Sequence, residues 1–352
     1  MKKNKLIVLA AFISSTLFAC AGNNIVSSSN NSKENDSSSS SQEQIEKLDI
    51  ISPAGAPTLA IYDLVNEKNL KTTTKPADVL LAAKTSVDKD VLIFDGVNAL
   101  NLINKGATKT PWKLARWLTG GNFYLVSTKH NASETLTADS KICSFGEGNL
   151  PDLVFKKLLK DHFKVTIKAE NFDYKAGTAE VSAALGSKEF AQSYDYFFIA
   201  EPSLMAAKNS LSKLETPLTV NEIYNLRDEW KKYSSQDYIP QAALFVNGNT
   251  YSKKQASFDN FLEKVDSNLN EVISNPQAAK EKLDALEPDL TKQKDRLGYN
   301  SSIMLALQKN NQNRFGMVDR MKISDNRFFI NEFNKKINGE EGTSFPEKIF
   351  LN

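Results

Sequence analysis

The sequence predicts an α/β fold in two lobes, each a mainly parallel sheet flanked by helices, and two observations carry that expectation. Four times a short apolar run passes through a glycine- or proline-marked turn into residues with helical apolar spacing, the mark of βαβ units. The chain then lays down a second set of strands before a late strand and a long helical tail return it to the first. In "KLDIISPAGAPTLAIYDLV" a strand ends near Ser52, Gly55 and Pro57 mark the turn, and Ile61, Leu64 and Val65 follow at helical spacing. "DVLIFDGVNALNLINKG" gives a strand to Phe94, a cap at Asp95 and a stop at Gly106. "KICSFGEGNLPDLVFKKLLK" and "YDYFFIAEPSLMAAKN" repeat the scheme. Asn149 and Glu201 stand near the caps, and Pro151 and Pro202 fall in the first helical turn, where a missing N–H costs little.

Between these units, "WKLARWLTGGNFYLVST" reads as two strands broken by Gly120-Gly121-Asn122. "TVNE" from Thr219 has capping-box spacing and predicts a helix through "IYNLRDEWKKY". "IPQAALFVN" returns to a strand, residues 252–286 read as helical, and "NSSIMLALQKNN" and "FFINEFNKKI" add two helices placed on the first sheet. The expected lobes are 46–130 with 243–352, and 131–242. Connections near 128–133 and 239–244 form a hinge. The alternative is one continuous α/β domain.

The 352 residues, 41% hydrophobic and 24% charged, suffice for a large core. The start is a basic "MKKNK" followed by the apolar run "LIVLAAFISSTLFAC", too short to span a bilayer comfortably, and residues 1–19 therefore read as a signal peptide. Leu17-Phe18-Ala19-Cys20 resembles the bacterial lipobox, which implies a lipid on Cys20 and a place on the outer face of the cell membrane. Residues 20–45 are rich in Ser and Asn, a composition that buries nothing and forms a tether of roughly 25 Å. Removing Lys2, Lys3 and Lys5 from the 44 basic residues leaves 41 against 42 acidic, which offers no footprint for nucleic acid. Cys143 is the one other cysteine, and His130 and His162 lack partners at ligand spacing, so neither an intramolecular disulfide nor a metal is expected.

The helix after a parallel strand begins at the strand's carboxyl edge, so the four turns are expected to open on one side and to present main-chain amides to a small polar molecule. The acidic residues at these turns, Asp95, Glu147, Asp152 and Glu201, oppose a simple anion site and favour a neutral or amine-bearing ligand. Glu201 reads equally as a cap or as a cleft carboxylate. Trp117 is a candidate aromatic contact, and Asn98 and Asn122 are candidate polar ones.

"SPAGAPTLAIYDL", "DGVNALNLINKG", "NFYLVSTKH", "SFGEGNLPDLVFKKLLK" and "FFIAEPSLMAAKN" resemble, in order and spacing, the solute-binding lipoproteins of bacterial ABC importers of the nitrate, sulfonate, taurine and thiamine-pyrimidine-precursor superfamily. The resemblance implies the type II periplasmic-binding-protein fold and a monomer that hands a solute to a membrane permease, with neither cofactor nor catalysis. It implies ligand contacts at Gly55, Ala56, Pro57 and Thr58, at Asp95, Gly96 and Asn98, at Asn122, at Gly146, Gly148 and Asn149, and at Glu201. A surface adhesin or structural lipoprotein that keeps the fold without a pocket is the alternative.

Overall fold

The computed structural model describes residues 46–132, 134, 136–339 and 344–351. The signal peptide, Cys20 and the tether lie outside the described residues. Strands β1 (Ile50–Pro53), β2 (Leu70–Thr73), β3 (Val91–Asp95) and β4 (Trp112–Trp117) build a first sheet. A second sheet holds β5 (Phe123–Ser127), β6 (Ile142–Phe145), β7 (Phe172–Lys175), β8 (Tyr196–Ala200) and β9 (Asn221–Asn225), after which β10 (Ala242–Asn247) rejoins the first. The two orders, β2-β1-β3-β10-β4 and β7-β6-β8-β5-β9, are one topology used twice. In each sheet the reversed strand, β10 or β5, is the one laid down directly after the chain has crossed over, and the other four run the same way.

Helices α1 (Pro76–Thr85), α2 (Gly96–Asn104), α3 (Leu150–Lys157) and α4 (Thr178–Leu185) follow β2, β3, β6 and β7, and the short α5 (Lys188–Ala191) leads towards β8. Beyond β8 come α6 (Ser203–Leu211) and α7 (Leu226–Ser234), and beyond β10 come α8 (Gly248–Tyr251), α9 (Gln255–Ser274), α10 (Pro276–Leu286), α11 (Leu290–Leu297), α12 (Ser301–Gln308) and α13 (Asn326–Asn338). Their starts follow capping chemistry. Asp95, Asn225, Asp289, Asn300 and Asp325 each accept a backbone N–H of the first turn.

One face of the first sheet is covered by the segment after β1, by α9, α10 and α12, with Leu59, Tyr62, Val265, Leu269 and Met304 buried between them. The opposite face belongs to a core that continues into the second sheet through Trp117, Phe123, Phe198 and Trp230. Helix α13 spans that junction. Phe329 meets the edge of Trp117 with ring centroids 5.6 Å apart, and Phe333 packs on Trp230 at 5.2 Å.

Three expectations are corrected. Residues 221–225 are a strand, not the start of a helix, because the free edge of β5 takes them as a partner and Ile223 turns inward; the helix waits for the cap at Asn225. Strand β5 pairs with β8 and β9, so the chain passes between the sheets at 118–122 and 235–241, and the first crossing comes before the expected hinge segment. The residues after β1 form a 3-10 helix, Ala56–Leu64, where an α-helix was expected.

The crossings are joined by a third segment. Thr119 bridges Met317, Gly120 N–H donates to Gly316 at 2.6 Å, and Val318 N–H donates to Leu118 at 3.0 Å. On the other side Ile239 N–H donates to Gly120 at 2.9 Å and Gln241 N–H to Thr119 at 3.2 Å. The strap between the sheets is therefore three chains wide.

Candidate functional site

Between the carboxyl ends of β2 and β3 on one side and β6 and β7 on the other lies a cleft of about 700 Å³. Thr74, Ala77, Leu80, Phe94, Asp95 and Asn98 come from the first lobe, and Phe145, Gly146, Asn149, Pro151 and residues 176–180 come from the second. Open α/β sheets place ligands at such carboxyl edges.

Each wall has a local cause. Phe145 ends β6 and stacks on Phe198 at 5.2 Å, which itself stacks on Phe155 at 4.6 Å, so the cleft floor is tied to the core. Gly146 and Gly148 sit at φ 68° and 70°, a region that favours glycine and lets the chain double back before α3. Asp152, fully buried, fixes that turn by accepting from Gly148 N–H at 2.9 Å, Tyr174 Oη at 2.7 Å and Lys156 Nζ at 2.9 Å. Its replacement by alanine removes the charged acceptor of the half-buried Tyr174 hydroxyl and of Gly148 N–H, while the Lys156 ammonium stays in solvent, and is expected to cost about 1–3 kcal/mol in urea denaturation. Asn149 stands at the cap position without a side-chain cap bond, which leaves its amide facing the cleft.

Asp95 accepts from Asn98 N–H at 3.0 Å and Asn98 Nδ2 at 3.1 Å. Burial pushes its carboxyl up to about 6, against the lowering effect of those amide bonds.

The other sequence-predicted positions are placed elsewhere. Gly55 N–H donates to Leu297 at 2.7 Å, the hydroxyl of the buried Thr58 donates to Leu297 and Gly55 at 2.8 Å each, and Ala56 enters the core. Pro57 only opens the 3-10 helix beside them. The turn after β1 is thus closed by the Gly298 corner after α11, where an added Cβ would lie 2.5 Å from Gly55 N. Gly96 is a packing glycine, since a Cβ there would lie 2.2 Å from the Trp117 ring, and Trp117 is buried in the junction core. Asn122 is also buried; its Nδ2 donates to the Glu201 carbonyl at 2.6 Å, and its Oδ1 accepts from Gln241 at 3.1 Å.

Glu201 neither reaches the cleft nor stays a simple cap. One oxygen accepts from Arg314 Nε at 3.0 Å and Nη2 at 2.7 Å, while the other takes Met205 N–H at 3.0 Å. Burial raises its carboxyl in spite of Arg314. Pro202 takes the cap position of α6, one residue before the first turn. Arg314 also donates to the more exposed Glu222 at 2.9 and 2.7 Å and lies over the Tyr124 ring at 4.4 Å.

Sequence reading passed over the turns after β2 and β7. Their signals were faint: a Pro76 start after "KTTTK", and Gly177 followed three residues later by Glu180, whose carboxylate accepts from Ala176 N–H at 3.0 Å. Among the described residues no group of His, Cys, Asp or Glu is arranged to hold a metal, and no helix is long and apolar enough to cross a membrane.

No family model and no curated protein sequence matches the chain. Solved structures do. An ABC transporter protein from Parabacteroides distasonis superposes with a TM-score of 0.60 at 14% identity, over 86% of this chain and 98% of its own. The ligand-binding component of an ABC-type import system from Staphylococcus aureus, with zinc bound, gives 0.58 at 11% identity over 86% and 95%. A putative periplasmic sulfonate-binding protein from Methylobacillus flagellatus gives 0.51 at 12% identity over 86% and 90%. With its two sheets, its repeated strand order and its paired crossings, the chain has the two-lobed type II periplasmic-binding-protein fold shared by these ABC-transporter proteins.

Proposed function

We propose that the protein is the extracytoplasmic solute-binding component of an ABC importer, held to the membrane through a lipid on Cys20, that captures a small molecule between its lobes and hands it to a permease. The observation that carries this reading is the cleft of about 700 Å³ built from two strand ends of each sheet. A protein that kept the fold for adhesion alone has no use for an open cleft, and here Asn98 and Asn149 leave amide groups on its walls. Contacts to the solute are assigned to Asp95, Asn98, Gly146, Asn149 and the turn 176–180.

Closure about the strap would bring the two walls together, with binding energy favouring the closed state. The test is small-angle X-ray scattering together with tryptophan fluorescence across amines, amino acids, heterocycles and anions. A bound solute is expected to reduce the radius of gyration and to change the emission of Trp117 and Trp230, which lie in the core at the junction. An unchanged profile with every solute class would remove the receptor reading.

A further inference from the structure

We propose that the cleft selects a cationic solute, an amine carried on an apolar body, with Asp95 as its counter-ion. The inference rests on the cleft being the solute site and adds the charge of what it takes. An anion at helix starts needs free main-chain N–H groups and, commonly, a basic side chain. Here the protein's own carboxylates each take one main-chain donor at three of the four turns that meet at the cleft, those after β3, β6 and β7: Asp95 takes Asn98 N–H, Asp152 takes Gly148 N–H, and Glu180 takes Ala176 N–H. Among the described residues, no lysine, arginine or histidine lines the cleft. Lys75, beside Thr74, is exposed and outside the lining, and Lys175, beside Ala176, is paired with Asp173 at 2.7 Å.

Asp95 is half-buried with only neutral amide partners, so its charge is left for a ligand to match. Phe94, Phe145, Leu80 and Pro151 supply apolar wall next to it. A ring or alkyl body is thereby accommodated.

Binding is also expected to depend on pH. Burial raises the Asp95 carboxyl to about 6, and a bound cation stabilises its ionised form, so amine affinity weakens as pH falls through 6. Glu180, on the first turn of α4, is the other ionisable group in the lining; Glu147 is exposed and outside it.

The test is calorimetric titration of the purified full chain with matched skeletons: phenethylamine, 2-phenylethanol and 2-phenylethanesulfonate, then butylamine, butanol and butanesulfonate. Native mass spectrometry of protein isolated without denaturation reads the charge of any co-purifying molecule. The expected result is amine binding at least tenfold tighter than its alcohol, no sulfonate binding, and loss of the difference in Asp95→Asn, which keeps the cap on α2. A sulfonate or alcohol that binds as well as the amine, a co-purifying anion, or an Asp95→Asn variant that still prefers amines overturns the inference and leaves the receptor standing. Absence of binding and of closure with every member, and of any co-purifying molecule, overturns both.

Discussion

Replacing Arg314 by methionine is expected to lower the unfolding free energy by about 3–5 kcal/mol, because it leaves Glu201 buried without its cation. Glu201 is 3% exposed and Arg314 supplies both of its charged hydrogen bonds. The same guanidinium holds Glu222 and covers Tyr124, so one side chain from the segment after α12 pins three residues of the second sheet and its turns. Burial already raises Glu201, and without Arg314 its carboxyl rises further. The folded variant then binds a proton more tightly than the unfolded chain, so its deficit shrinks as pH is lowered. Urea denaturation at pH 7.5 and pH 5 checks both the size and the sign, and adding Glu201→Gln to Arg314→Met should recover more than half of the loss. A loss under about 1 kcal/mol would mean that the charged cluster does not brace the second lobe.

Gly316→Ala is expected to be of similar size, about 3–5 kcal/mol by thermal or chemical denaturation, through backbone crowding alone. A Cβ at Gly316 would stand 2.2 Å from the Gly121 carbonyl oxygen and 2.6 Å from its carbon, and φ is 68°. Gly121 cannot retreat without opening the bonds that Gly120 makes to Gly316 and Ile239. Gly106→Ala, just past the end of α2, is the control. Its φ is 64° but no described residue comes within 4 Å of an added Cβ, so it should cost only about 1 kcal/mol. Equal losses at the two positions would show that conformation, and not the close approach across the strap, sets the cost.

These two residues also mark where sequence reading stops. Asp95 was legible because an acidic cap directly after a buried strand and before an apolar helix is a local pattern, and Asn98, Gly146 and Asn149 came with the same kind of turn. β7 and the turn after β2 were not, since "FDYK" is a half-buried edge strand and "KTTTK" is polar, and neither shows a clear period. Thr58 looked available in sequence because its partner, Leu297, lies 239 residues away. Arg314 stands in the polar run "NNQNRFG" and meets Glu201 across 113 residues, a separation that no spacing rule spans. The strand 221–225 was misread because its capping-box letters are a local signal overruled by the vacant edge of β5.

The interpolated position of β10 has a consequence for synthesis. A ribosome releases β3 and β4 long before the strand that must lie between them, so the first sheet stays in two pieces while the whole of residues 123–225 emerges. Every strand pair of the second sheet lies within that stretch. That sheet can finish its strand pairing while the earlier sheet still waits, so the later-made sheet is the first whose strands can all be paired, and Arg314 and α13 brace it only afterwards.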